Sequence, residues 1–313
     1  MTERLAFVTM FTVMAAFVVG LTVLAVKTGA GRGLPLVAGG APTNPIGSGQ
    51  EPCLSSKNAV VGGANETRPV QPSGRLNARL TAALLAALGS NRADVSAGVI
   101  DTATGAEALY HPSEHYHAAG IATADILAAL LYQHQLAGTP IGSTNAGLAA
   151  EMIENGSRTA ASSLWQAIGR GAGLVTANRA LGLRHTIPGP GNAWRLTGTT
   201  LADQLRLLAS LATTRSALSL ACRHFELGLM AGVAAGQRWG VPSAASPGTS
   251  YAATDGWQAD PRRFAVNSIG VIYHAGHELL VVVLSRNWPT QAAGRSAVRT
   301  AAVAAVSSMA GSP

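Results

Sequence analysis

Leucine recurs every fourth residue along RLNARLTAALLAAL, at Leu76, Leu80, Leu84 and Leu88, which draws one apolar stripe down a helix. VSAGVI, DTATG and AEALY follow and read as strand, turn and strand, with Gly105 ending the turn. From about Ala119 to Gly236 the apolar spacing is helical nearly throughout. Inside that block Thr199 or Thr200 offers an N-cap to LADQLRLLASL, whose leucines again share a face. YAATDGW, FAVNSIGVIYH and ELLVVVLS read as three strands, the last two joined by a short turn at Ala275-Gly276. An alanine-rich helix from about Gln291 to Met309 comes last. The order predicts an α/β fold, with an antiparallel sheet flanked by terminal helices and an all-helical second lobe. A cleft between sheet and lobe is the expected ligand site.

Upstream the pattern changes twice. Leu5 to Val26 form an unbroken apolar run between Arg4 and Lys27. As a helix it extends about 33 Å, enough to cross a hydrocarbon core. The expectation is an uncleaved N-terminal anchor, with a cleaved signal segment as the alternative, since no clean A-x-A site precedes Lys27. From Thr28 the chain is rich in Gly, Pro, Asn and Ser without sustained period, which predicts a flexible tether. The chain thus divides into residues 1–27 (transmembrane anchor or signal segment), 28–70 (linker) and 71–313 (one domain). Such an arrangement predicts a protein at the cell membrane, attached through residues 5–26 with its domain outside. Secretion after signal cleavage is the alternative.

Composition narrows the chemistry. Charged residues are 12% and the net charge of +7 comes almost entirely from arginine. The arginines stand singly, with no basic stripe or interleaved aromatics, so nucleic acid is not an expected partner. The lysines are Lys27 and Lys57, both ahead of the domain, which therefore cannot run lysine-dependent catalysis. Cys53 and Cys222 match no CxxC motif and cannot hold a metal by themselves; an oxidising compartment would let them pair, but idle thiols are the expectation. Asn65-Glu66-Thr67 and Asn155-Gly156-Ser157 match the glycosylation sequon, which matters only in a eukaryotic secretory route.

The stretches YHAAGIATADILAALLYQ, EMIENGSRTAASSLWQAIG, WRLTGTTLADQLRLLASL, GQRWGVPSAA and TDGW with FAVNSIGVIY resemble the class A β-lactamase and penicillin-binding serine hydrolase family, in its exported actinobacterial form. The resemblance runs from about Gln71 to Ala310. It implies a cleft on which three motifs converge. S-x-x-K supplies the nucleophile and a lysine; here Gly120-Ile121-Ala122-Thr123 stands there. S-D-N supplies a relay hydroxyl and an amide; here the residues are Gly156-Ser157-Arg158. K-T-G supplies a cation for the substrate carboxylate; here Thr254-Asp255-Gly256 keeps only the glycine. The family's deacylating glutamate has no counterpart either, because no acidic residue lies between Glu154 and Asp203. Each loss removes a nucleophile or base worth orders of magnitude in rate.

The resemblance with these losses predicts a catalytically inactive domain that needs no cofactor and binds a cell-wall fragment, a β-lactam-like ligand or a protein. Ser157, Arg158 and Thr254 are the candidate ligand contacts. Arginine suits bidentate carboxylate binding, and Arg158 stands ready to replace the lost lysine cation. The alternative for that arginine is solvent, or a pairing with Asp255 or Glu154. Two other readings of function stay open. One is a hydrolase with a rerouted nucleophile, Ser157 or Thr123, served by His115 or His117. The other is a structural interaction domain with a filled cleft. His111, Glu114, His115 and His117 superficially match an inverted zinc-protease motif, but Pro112 interrupts it, which predicts a surface loop and no metal site.

Overall fold

The structure, a computed structural model, describes residues 73–260 and 263–310. The apolar run Leu5–Val26, the linker, the Asn65 sequon and Cys53 lie outside the described residues. No helix among the described residues is long and apolar enough to cross a membrane.

Helix α1 (Ser73–Leu88) buries Leu76, Leu80 and Leu84, the stripe expected from their spacing. Strands β1 (Val95–Asp101) and β2 (Glu107–Tyr110) form the hairpin; Asp101 Oδ1 accepts the N–H groups of Ala103 and Thr104 and so shapes the turn. A short strand β3 (His115–His117) leads into the helical lobe, α2 (Ala122–Ala137), α3 (Gly142–Glu154), α4 (Arg158–Ala167) and α5 (Arg170–Leu181). Strand β4 (Gly198–Thr200) pairs with β3, and α6 (Leu201–Ala212) and α7 (Leu220–Ala231) complete the lobe. Thr200 caps α6 by accepting the N–H of Asp203. Strands β5 (Tyr251–Asp260), β6 (Arg263–His274) and β7 (His277–Ser285) and helix α8 (Gln291–Ser308) follow.

The main sheet runs β2-β1-β7-β6-β5, all antiparallel. Its central strands are apolar on both faces because both are covered. Along β7, Leu280, Val282 and Leu284 enter the core under the helical lobe, while Leu279, Val281 and Val283 enter the core under α1 and α8. A period of two thus splits one apolar run between two cores. This explains why ELLVVVLS carries no polar alternation although its sheet is antiparallel. The β3–β4 ribbon was not expected; three-residue strands offer no periodicity to read.

Two features of the lobe also escaped the sequence. Cys222, buried in α7, is disulfide-bonded rather than idle, a pairing that spacing cannot reveal. Near it the lobe buries two acids without a cation. Asp125 of α2 accepts from Gln204 Nε2, and burial pushes it up to about 7. Glu226 of α7 is fully buried with no hydrogen-bond partner for either oxygen among the described residues. Burial and then the Asp125 charge raise its pKa well above the usual carboxylate range.

Between the unfolded-state value near 4 and about 7, the folded chain therefore holds protons that the unfolded chain has released. The stability held below this window is lost as pH rises through it, by an amount on the order of a few kcal/mol. Buried Asp255, raised to about 6 by its own desolvation, pulls the same way. Thermal melts should show the domain less stable at pH 8 than at pH 5, and Glu226→Gln should flatten that slope. A melting temperature that climbs from pH 5 to pH 8 would contradict protonated acids in this core.

Candidate functional site

The helical lobe meets the sheet where a 3-10 turn, Ala119–Ile121, comes down on β5. The descent is held by Asn267 of β6, which is fully buried. Its Nδ2 donates to the carbonyls of His117 (2.8 Å) and Ala118 (3.0 Å), and its Oδ1 accepts the N–H of Ser285 (2.9 Å). Ala118 N–H donates in turn to Thr197 O at 2.8 Å. Pinned this way, Gly120 packs backbone against backbone on Gly256. A Cβ placed on Gly120 would stand 2.7 Å from Gly256 Cα and 3.3 Å from Asp255 O. Both positions need hydrogen as the side chain for this approach.

Beside this closure lies a pocket of about 170 Å³, lined by Thr123, Arg158, Trp194, Arg195, Gln237 and Trp257 among others. Of the positions singled out by the resemblance, Gly120, Thr123, Gly156, Arg158, Thr254, Asp255 and Gly256 border it, and Ser157 does not. Thr123 is buried, and its Oγ1 donates to Gly120 O at 2.9 Å, an ordinary bond within a helical turn. Thr254 is buried on β5. Gly156 has φ of 67°, and the Gln237 amide packs against it where a side chain would project. Ser157 is the N-cap of α4, accepting the N–H of Ala160 at 3.3 Å.

The charge in the pocket comes from two arginines around one indole. The guanidinium of Arg158 lies 5.7 Å from the Trp257 ring centroid and that of Arg195 lies 5.8 Å from it. Arg158 is exposed at the mouth; Arg195 is half-buried and donates to Trp257 O. Burial, and then the charge of Arg158, lower the pKa of Arg195. Neither arginine forms an ion pair among the described residues, where the pairs are Arg206–Asp203, His277–Asp101 and Arg286–Glu114. Arg158 therefore takes neither Asp255 nor Glu154 as a partner. The carboxylate that borders the pocket, Asp255, is committed elsewhere: its Oδ2 accepts the N–H groups of Trp239 (2.8 Å) and Gly240 (3.1 Å). With its amide oxygen turned to accept, Gln291 takes the Trp257 indole N–H and two donors of Arg295, which steadies the ring.

The histidines are placed elsewhere. His115 and His117 line a second pocket, of about 340 Å³, together with Arg263 and Arg286. His111 stacks on Tyr110 at 3.8 Å, and Glu114 pairs with Arg286 at 3.0 Å. No group of three or more His, Cys, Asp or Glu placed to hold a metal occurs among the described residues. Sequence reasoning found Arg158 but missed Arg195, Trp257, Trp194 and Gln237. Arg195 was within reach, because WRLTGTT puts a cation into the acid-free interval between Glu154 and Asp203.

No family model and no curated protein matches the chain. Solved structures do. A β-lactamase from Desulfarculus baarsii is 19% identical, with 77% of this chain and 100% of that one covered and a TM-score of 0.61. A representative of class A β-lactamase from Bacteroides cellulosilyticus is 12% identical, covering 75% and 98% with a TM-score of 0.65. An ancestral class A β-lactamase is 20% identical, covering 74% and 99% with a TM-score of 0.61. What this chain shares with them is the fold: an antiparallel sheet with a helical lobe, of the class A β-lactamase type.

Proposed function

We propose that this β-lactamase-like domain is a non-catalytic binding module, held outside the cell membrane by residues 5–26. The observation that carries the reading is the contact of Gly120 with Gly256. The residue in the nucleophile's place has no side chain, and the backbone of β5 occupies the space that one would need. The absence of lysine after Lys57 supports the same reading whatever the alignment register. So does the pocket, which offers hydrogen-bond donors and cations but no hydroxyl poised on a base. A rerouted hydrolase would need Ser157 or Thr123 beside a histidine, and Thr123 Oγ1 donates to Gly120 O instead. Ser157 instead caps a helix, and His115 and His117 border another pocket.

Incubation with a penicillin should leave the intact mass of the protein unchanged. A stable mass gain mapped to Ser157, Thr123 or any other pocket residue would overturn the non-catalytic reading.

Restoring the missing groups should also fail, for a steric reason as well as a chemical one. Gly120→Ser forces a Cβ against the Gly256 backbone and should cost about 1–3 kcal/mol, read as a lower melting temperature. Gly120→Ser with Thr123→Lys and Thr254→Lys should give little or no turnover of a chromogenic β-lactam. The new lysines would stand in a pocket that already holds Arg158 and Arg195, and no carboxylate between Glu154 and Asp203 could activate a deacylating water. Sustained multiple turnovers by the triple variant would show that the pocket supplies a base.

A further inference from the structure

We infer that the pocket between Arg158 and Arg195 binds a small dianion, the terminal phosphate of a phosphomonoester, rather than the monocarboxylate of a larger ring system. The inference rests on the non-catalytic reading of the pocket and names the ligand it takes.

Three observations lead there. The first is charge without compensation. Two guanidiniums share one aromatic ring, neither is ion-paired among the described residues, and Asp255, which also borders the pocket, forms no ion pair with them and has its Oδ2 occupied by backbone amides. Burial of Arg195, and then the charge of Arg158 beside it, disfavour its protonated form. A single negative charge between them leaves a net positive charge, whereas a dianion neutralises both and interacts twice as strongly with each. The second is donor supply. Of the five N–H donors of each guanidinium, Arg195 gives one to Trp257 O and Arg158 gives none to any described acceptor. Forked donors matched to tetrahedral oxyanions are the common basis of phosphate recognition by arginine. The third is size. At about 170 Å³ the pocket falls below the roughly 300 Å³ lower bound for sites that enclose drug-sized molecules. The contact of Gly120 with Gly256 bounds the pocket on that side. A phosphate group fits this space, with the rest of its ester leaving past exposed Arg158.

Isothermal calorimetry on the full chain tests the assignment with four probes: inorganic phosphate, glycerol 3-phosphate, the short-chain lipid dihexanoyl phosphatidate, and acetate. Phosphate and at least one ester should bind at pH 7.5, and acetate should bind much more weakly. Arg195→Gln and Arg158→Gln should each weaken phosphate binding by roughly tenfold to a hundredfold, while thermal melts confirm folding. Arg158 is exposed, so its variant remains informative if the Arg195 variant unfolds. A preference for phosphatidate over glycerol 3-phosphate assigns the group to a lipid headgroup, and equal binding assigns it to soluble esters. Three outcomes overturn the inference: no phosphate binding, equal affinity for acetate, or binding unchanged in Arg158→Gln. None of these makes the protein acylate with penicillin, so the non-catalytic reading stands or falls separately.

Discussion

The contact on which the rest of the site depends is the meeting of two peptide backbones at Gly120 and Gly256. Asn267 draws the segment at residues 117–118 onto β6, the 3-10 turn follows it down, and two glycines let the turn touch β5. The pocket that remains is shaped by what lies beside the contact: Arg158 from the start of α4, Arg195 from the segment before β4, and Trp257 from β5.

The electrostatic character of the molecule follows a related division. Acids are buried in the lobe without cations, as Asp125 and Glu226, and behave as neutral groups at mildly acidic pH. Arg158 and Arg195 line the pocket without an ion-pair partner among the described residues. Each arrangement is costly alone, since an isolated buried carboxylate resists ionisation and two neighbouring guanidiniums repel. The first is relieved by protonation. An anion of the kind proposed above would relieve the second.

The chain itself determined most of the architecture. Leucines at fourfold spacing defined α1, turn residues defined the β1–β2 hairpin, and Thr200 began α6, because these signals act locally and survive any packing arrangement. The order of the elements then restricted them to an antiparallel sheet between terminal helices. The absence of lysine after Lys57 and of any acid between Glu154 and Asp203 was equally legible, since an absent residue type needs no coordinates to be absent.

The tertiary structure alone decided what stands in the pocket. Gly120 in isolation is merely a residue without a side chain; only the approach of β5 makes the missing side chain a requirement of packing. Arg195 and Trp257 lie 62 residues apart, and no periodicity joins them until the cleft does. Ser157 reads equally well as cleft hydroxyl or helix cap, and the start of α4 settles the choice. The difference is physical. Helix and strand patterns are written in neighbours along the chain, whereas close approach, charge left uncompensated and pocket size belong to neighbours in space.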